Sequence, residues 1–239
     1  MISEHKFSSQ FTSVWRDIMP MGDRYWRSQN LFLEKFTSPF GKQGEKEIRG
    51  TINELAFMVF CSLSKEAENP KFERALELAL KFADTAASYT RRFTIEAPGI
   101  NIKSSNKSLE EAATLALTQL RFFRSDFLVG TSFKVRPKFH GCGMIGDCEG
   151  DVLTEHTLFE VKAGDRTFRI TDLRQLLIYS ALEYSAGKLS FSKIGLLNPR
   201  TGDFWVRELD VVCRAVSGRR ASDVFEAIID SLTQPLTSR

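Results

Sequence analysis

The stretch GDVLTEHTLFEVKAG, residues 150–164, places charged side chains inside a segment that otherwise alternates like a β-hairpin. Its two halves are predicted to pair as antiparallel strands around a two-residue loop at 155–156. In that register Asp151 lies directly opposite Glu160, with Cβ atoms roughly 5 Å apart on one face of the sheet. Strand alternation puts Lys162 on the same face. The hairpin therefore predicts two carboxylates and an ammonium close together.

Two opposed carboxylates repel each other, so the pairing of Asp151 with Glu160 needs a physical reason. A divalent cation between them would turn the repulsion into a ligand pair, since Mg²⁺ is commonly held by one or two carboxylates. Beside such a cation, Lys162 would orient a water or stabilise charge on a phosphate. The alternative is a solvated face of an edge hairpin, where alternating charge is ordinary and protects against aggregation.

A second group of polar residues follows in TDLRQLLIYSALEYSAG, residues 171–187, whose apolar spacing predicts a helix. Gln175 and Tyr179 are four residues apart and therefore share one helical face. Asp172 lies three residues before Gln175 and, with Thr171, is placed to cap the helix. The positive end of this helix would then face a phosphate.

The D-x8-E-x-K spacing on a hairpin and the Q-x-x-x-Y spacing on the next helix together resemble the RecB-type branch of the PD-(D/E)XK nuclease superfamily. The resemblance covers about residues 135–208. It implies that Asp151 and Glu160 hold a catalytic Mg²⁺ or Mn²⁺ ion and that Lys162 acts beside the attacking water.

The same resemblance implies an α/β fold with a restriction-endonuclease-like mixed sheet flanked by helices. Gln175 and Tyr179 would position the substrate or Lys162. Residues 129–239 would form the nuclease core. Residues 1–128 are predicted to be a mostly helical region that provides contacts to substrate or partners.

Members of this superfamily usually add an acidic or histidine residue from an upstream helix as a further metal ligand. The segment RGTINELAFM is similar to that helix and nominates Glu54 as the third ligand. Glu110 and Glu111 are the alternatives, since they lie nearer to the sheet along the chain. The sequence leaves the choice among the three open.

Helical apolar spacing dominates the first half of the chain, and short β-rich runs begin at about residue 129. Ser108, with Glu111 three residues on, has the capping-box spacing of a helix N-terminus. Besides the helix at residues 171–187, the predicted helices span residues 8–36, 44–65, 69–89, 107–123 and 219–233. The predicted strands lie within residues 132–141, 150–153, 157–164, 191–197 and 204–209.

The composition is that of a folded globular protein, with 239 residues of which 42% are hydrophobic. A net charge of +3 permits a nucleic-acid partner without requiring one. The first residues lack a signal-peptide pattern, and no stretch approaches the roughly 20 apolar residues of a membrane span. We therefore expect a cytoplasmic protein without membrane contact, whose four cysteines are free thiols.

The expected function is metal-dependent hydrolysis of phosphodiester bonds in DNA, as a component of a phage-defence, restriction or DNA-repair system. The chain has no G-x-x-x-x-G-K-[S/T] phosphate loop, so any ATP-driven movement would come from a partner such as a separate ATPase or helicase. Two alternatives stay open: a non-cutting module that binds nucleic acid or protein, and a nuclease that cleaves RNA. Candidate phosphate contacts are Arg166, Arg169 and Arg174.

Overall fold

A six-stranded mixed sheet forms the centre of the structure, a computed structural model that describes residues 1–41, 48–91, 105–125 and 132–234. The strands are β1 Glu34–Lys35, β2 Phe133–Val135, β3 Lys138–Phe139, β4 Cys148–Glu149, β5 Val152–Thr154, β6 Thr157–Val161, β7 Lys193–Asn198 and β8 Asp203–Glu208. The order in the sheet is β1-β8-β7-β6-β5-β2, while β3 and β4 form a separate ladder. Only β6 and β7 are parallel among these described neighbours.

Helices flank this sheet, which confirms the predicted mixed α/β class. They are α1 Glu4–Gln10, α2 Thr12–Ile18, α3 Gly22–Gln29, α4 Arg49–Leu63, α5 Phe72–Arg91, α6 Asn106–Phe123, α7 Ile170–Ser185, α8 Leu209–Ser217 and α9 Ala221–Thr233. Within the described ranges, none of these helices combines the length and the apolar character needed to cross a membrane.

Two apolar clusters hold the helices on opposite faces of the sheet. On one face α7 packs against α1, α3 and α9, and on the other α4, α5 and α6 pack against one another. Consecutive residues of β6 alternate between these faces, so that Leu158 joins the α7 cluster and Phe159 joins the α4–α6 cluster. The helices that precede residue 126 thus contribute to both layers.

The parallel pair β6 and β7 is connected through α7. Parallel neighbours cannot be joined by a tight turn and need a crossover, for which a helix is the usual form. The crossover brings α7 back across β6, and the two elements are in contact. The helix predicted to carry Gln175 and Tyr179 therefore lies over the strand that carries Glu160.

The hairpin formed by β5 and β6 has the predicted register, with Val152 opposite Phe159. Its two-residue turn is closed by Thr154, whose Oγ1 accepts a hydrogen bond from the backbone N–H of Thr157 at 3.1 Å. Each segment predicted to contain a strand also contains one in the structure. The short strand β4 was not predicted.

The helix predicted over residues 8–36 is wrong, because three shorter helices and a strand occupy this range. Phe11 leaves the helical region with φ −92° and ψ 57°, which separates α1 from α2. Pro20 lies in the turn between α2 and α3, where its missing N–H and the restriction it imposes on Met19 end the helix. The last part of the range forms β1, which pairs with β8.

One further helix prediction needs correction, and one helix was not predicted. Ser105, rather than Ser108, caps α6, because its Oγ accepts from the backbone N–H of Ser108. The helix α8 between β8 and α9 was not predicted. The beginning of the predicted helix 44–65 and the predicted boundary between residues 128 and 129 lie outside the described residues.

Arg200, in the turn between β7 and β8, is buried and joins three elements. Its Nε donates to the carbonyl of Ala163 at 2.8 Å, and its Nη2 donates to Oδ1 of Asn53 in α4 at 2.9 Å. Its Nη1 lies 2.5 Å from the carboxylate of Glu111 in α6, which is fully buried. The ion pair with Glu111 and the hydrogen bonds of Arg200 hold α4 and α6 against the residues that follow β6.

Replacing Glu111→Ala should lower the free energy of unfolding by about 3 kcal/mol, because it removes the buried counter-charge of Arg200 and leaves only the half-exposed Asp165, 3.7 Å from its Nε. Glu110→Ala is the matched control, since Glu110 is the exposed neighbour on the same helix and should change stability by at most about 0.5 kcal/mol. Urea denaturation of both variants measures the difference. Equal stabilities would show that the pair does not hold the layers together.

Candidate active site

Asp151 lies at the open end of the β5–β6 hairpin, one residue before the first paired position. Its Oδ2 accepts a hydrogen bond from the backbone N–H of Val161 at 2.7 Å, so the side chain reaches across to the partner strand. This contact holds the carboxylate next to the strand that carries Glu160. The sequence predicts the two acids opposite each other, and in the structure they are near enough for the charge of Glu160 to act on Asp151.

Glu160 is buried on the α7 side of β6. One of its oxygens, Oε1, accepts from the ammonium of Lys162 at 2.8 Å. The other, Oε2, is buried and has no hydrogen-bond partner among the residues that the structure describes. A buried carboxylate oxygen without a partner is costly, and it is an available ligand position for a cation.

The two carboxylates influence each other electrostatically. Burial raises the pKa of Asp151 well above its ordinary value, and the charge of Glu160 raises it further, while Lys162 opposes the shift. Burial also raises the pKa of Glu160, against the opposing effect of Lys162. Two carboxylates that are held close together repel each other, and a divalent cation such as Mg²⁺ or Mn²⁺, which prefers oxygen ligands, would relieve that repulsion.

A chain of hydrogen bonds joins four of the predicted site residues. Lys162 Nζ donates to Glu160 Oε1 and, at 3.0 Å, to Gln175 Oε1. Gln175 Nε2 lies 2.8 Å from the hydroxyl of Tyr179, and that hydroxyl donates to the carbonyl of Glu149 at 3.1 Å. Gln175 therefore contacts Lys162 directly, and Tyr179 supports Gln175 from the next turn of α7.

Lys162 is a cation in this arrangement. Burial lowers the pKa of its ammonium, but the nearby carboxylates of Glu160 and Asp172 raise it by more, so that the net pKa lies above the ordinary value. Burial raises the pKa of Tyr179 well above its ordinary value, which keeps the phenol neutral and able to donate. The hydrogen-bonded residues thus present one positive charge, on Lys162, next to the carboxylates of Glu160 and Asp172.

Glu54 approaches Asp151 from the α4 side, and both side chains line a cavity of about 170 Å³. Of the three candidates for an upstream ligand, Glu54 is the one at this cavity, because Glu110 is exposed and Glu111 is paired with Arg200. Burial raises the pKa of Glu54, opposed by the charge of Arg136.

The three proposed ligands are not assembled into one cluster. Within the described ranges, no three His, Cys, Asp or Glu side chains meet in a metal-binding group. Glu54 forms an ion pair with Arg136 at 3.3 Å on one side of the sheet, and Glu160 binds Lys162 on the other. Asp151 lies between them and is the residue that both acids approach.

The charged residues at the start of α7 have structural roles. Asp172 accepts from the backbone N–H of Arg169 at 2.7 Å, which confirms its capping role; Arg169 is the N-cap, and Thr171, expected to share that role, lies within the first turn of the helix. Arg166 forms a two-point ion pair with the same carboxylate, at 2.9 and 3.2 Å. Arg174 is buried against the ring of Trp15, so it is withdrawn from the surface where a phosphate would bind.

Sequence reasoning missed Arg136. This residue has a left-handed backbone conformation, with φ 52°, which is uncommon for residues other than glycine. Its guanidinium lies over the ring of Phe57 at 5.5 Å and contacts Glu54, while its backbone N–H donates to the carbonyl of Asp151. The sequence does not predict this conformation, because Arg136 precedes Pro137 and a residue before proline favours extended backbone.

Comparison of the chain with models of known protein families and with curated proteins finds no match.

Replacing Asp151→Asn should raise the melting temperature of the metal-free protein by a few degrees, about 2–4 °C for each kcal/mol gained in a chain of this size. The amide removes a charge that burial and Glu160 disfavour, and it can still accept from Val161. The raised pKa means that the folded chain holds a proton on Asp151 more tightly than the unfolded chain. The gain should therefore grow as pH rises through the folded-state pKa and vanish in acid.

Thermal melts at several pH values in a chelating buffer measure this effect. Glu155→Gln is the control, because Glu155 is exposed in the turn of the same hairpin. A lower melting temperature for the Asp151 variant at neutral pH would contradict the electrostatic account of the site.

Proposed function

We propose that this protein is a Mg²⁺- or Mn²⁺-dependent nuclease that hydrolyses DNA, on a restriction-endonuclease-like core. The observation that carries the proposal is the hydrogen-bonded chain from Glu160 through Lys162 and Gln175 to Tyr179, beside Asp151. A charged face of an edge hairpin would be solvated, whereas Glu160, Gln175 and Tyr179 are buried, Lys162 is half-buried, and the four are bonded to one another. Their mutual contacts favour a built site over a merely charged surface.

The carboxylates of Asp151 and Glu160 would hold the cation, with Glu54 as a further acid beside Asp151. When bound, such a cation supplies Lewis-acid activation of a water and of the phosphate. The ammonium of Lys162 stabilises negative charge that develops on the phosphate, because it lies beside the same carboxylates and stays protonated. Gln175 and Tyr179 keep that ammonium in place.

The backbone also restrains Lys162. Its N–H donates to the carbonyl of Leu197 in β7 at 2.8 Å, which continues the parallel pairing one residue beyond β6. A charge that is fixed from both its backbone and its side chain loses little freedom when a substrate binds. This preorganisation favours a catalytic role for Lys162.

One observation favours the second candidate, a module that binds nucleic acid without cutting it. Glu160 is paired with Lys162, and Glu54 is paired with Arg136. A chain that has replaced its metal by these internal cations would keep the fold and lose the chemistry. The two functions differ in whether added metal binds at Asp151.

Replacing Lys162→Met should reduce metal-dependent cleavage by about 10²- to 10³-fold, the usual effect of removing one group that stabilises charge in the transition state. The assay compares linear and circular DNA, single- and double-stranded, together with RNA, in Mg²⁺ and Mn²⁺. Lys188→Met is the matched control, since Lys188 is exposed beyond the end of α7 and should retain full activity. Melting temperatures verify that both variants are folded.

Cleavage that is unaffected by the Lys162 change would show that the activity comes from elsewhere. If the wild-type protein binds nucleic acid but neither cuts it nor binds Mn²⁺ at Asp151, the non-cutting module is the better description. If it neither cuts nor binds metal, the proposal fails.

A further inference from the structure

Arg136 brings a positive charge to the cavity beside Asp151, and the proposed reaction does not use it. Its Nη2 donates to Oε1 of Glu54 at 3.3 Å, and its guanidinium lies over the ring of Phe57 at 5.5 Å. Both Glu54 and Phe57 line the cavity, together with Asp151. The guanidinium is therefore in contact with the wall that carries the acid proposed as a further metal ligand.

The backbone fixes Arg136 in this place at a conformational cost. Its N–H donates to the carbonyl of Asp151 at 2.8 Å, and the carbonyl of Pro137 accepts from the N–H of Gly150 at 2.9 Å. Arg136 nevertheless has the left-handed conformation that residues other than glycine rarely adopt and that a following proline disfavours further. Strained residues that their surroundings hold in place are concentrated at functional sites, which makes this arginine a candidate for substrate binding.

The guanidinium can take a further anionic partner. It carries several N–H donors in a fixed fork, and the side chain is 37% exposed. The carboxylate of Glu149 lies 3.8 Å from Nη1, which is beyond hydrogen-bond distance. A phosphate accepts parallel hydrogen bonds from such a fork, and this geometry makes arginine a common partner of phosphate groups.

A cation bound at Asp151 and Glu54 would compete with Arg136 for the same carboxylate. Burial raises the pKa of Glu54 and the charge of Arg136 opposes that shift, so the guanidinium stabilises the anionic carboxylate. A divalent ion at Glu54 would repel the guanidinium and take over this role. Arg136 would then be left without its partner beside Asp151, where the proposed cation holds the substrate phosphate.

We propose that Arg136 exchanges partners: it neutralises Glu54 in the metal-free protein and binds a phosphate of the substrate strand once a cation occupies Glu54. The proposal rests on the proposed function, since both the cation and the phosphate belong to it. Arg136 is then a competitor of the cation and a ligand of the substrate. Its removal should strengthen metal binding and weaken nucleic-acid binding, whereas the loss of a merely structural residue would weaken both.

The test measures both affinities in the same variant. Arg136→Asn removes the positive charge and keeps a residue type that tolerates the left-handed conformation. Calorimetric titration with Mn²⁺ should show about fivefold tighter binding to this variant than to the wild-type protein, the gain expected from removing a competing, partly exposed ion pair. Fluorescence anisotropy with labelled single-stranded oligothymidylate in Ca²⁺ should show about tenfold weaker binding, as for the loss of one charged hydrogen-bond partner.

Two further variants of the same position make the result decisive. Arg136→Lys keeps the charge and should keep the Mn²⁺ affinity of the wild-type protein. Arg136→Gly removes the charge together with the backbone strain, so it replaces Arg136→Asn if that variant does not fold. Arg214→Asn is the matched control, because Arg214 pairs with the exposed Asp210 in α8, which packs against α3, α9 and β8. It should change neither affinity.

The outcomes separate the exchange of partners from the nuclease assignment. Tighter Mn²⁺ binding with weaker strand binding in Arg136→Asn, in a protein that cuts nothing, would support the exchange while the proposed catalysis fails. Metal-dependent cutting together with unchanged or weaker Mn²⁺ binding by Arg136→Asn would overturn the exchange and leave the nuclease standing. Unchanged strand binding by this variant would overturn it as well. Mn²⁺ binding by neither protein would overturn both proposals.

Discussion

The contact between Lys162 and Glu160 compensates a carboxylate that is buried inside an apolar sheet, and the candidate site is arranged around it. A carboxylate in such a place is strongly destabilising unless it is paired and hydrogen-bonded. Gln175 orients the ammonium, and Tyr179 supports Gln175. The second oxygen of Glu160 has no hydrogen-bond partner among the described residues, and burial disfavours the charge of the nearby Asp151. A divalent cation bound to both carboxylates would relieve these unfavourable energies.

The topology explains why these groups meet. The parallel pairing of β6 with β7 requires a crossover, and the crossover helix α7 lies over the face of β6 that carries Glu160 and Lys162. On the opposite face, Arg200 ties α4 and α6 to the strand end, and this brings Glu54, Asn53 and Gln119 to one cavity. Asp151, at the end of the hairpin, borders both groups.

The parts of the site that could be predicted are those that depend on local periodicity. Strand alternation and the two-residue turn determine the hairpin register, and helical spacing places Gln175 and Tyr179 on one face. Arg136 and the cavity at Gln119 could not be predicted, because they depend on how α4 and α6 pack against the sheet and on an unusual backbone conformation. The prediction of a single helix at residues 8–36 failed for a local reason. Phe11 leaves the helical conformation, although nothing in its residue type requires it.

The central claim is that Asp151 and Glu160 form a cation site, and the most direct measurement is anomalous scattering from crystals soaked in Mn²⁺. We expect an anomalous peak at roughly 2.0–2.1 Å from oxygens of Asp151 and Glu160, the distance at which carboxylates bind Mg²⁺. The Lys162 ammonium should remain within hydrogen-bond distance of Gln175. Fully occupied Mn²⁺ elsewhere on the protein, with the Glu160–Lys162 pair unchanged and no peak beside Asp151, would contradict it.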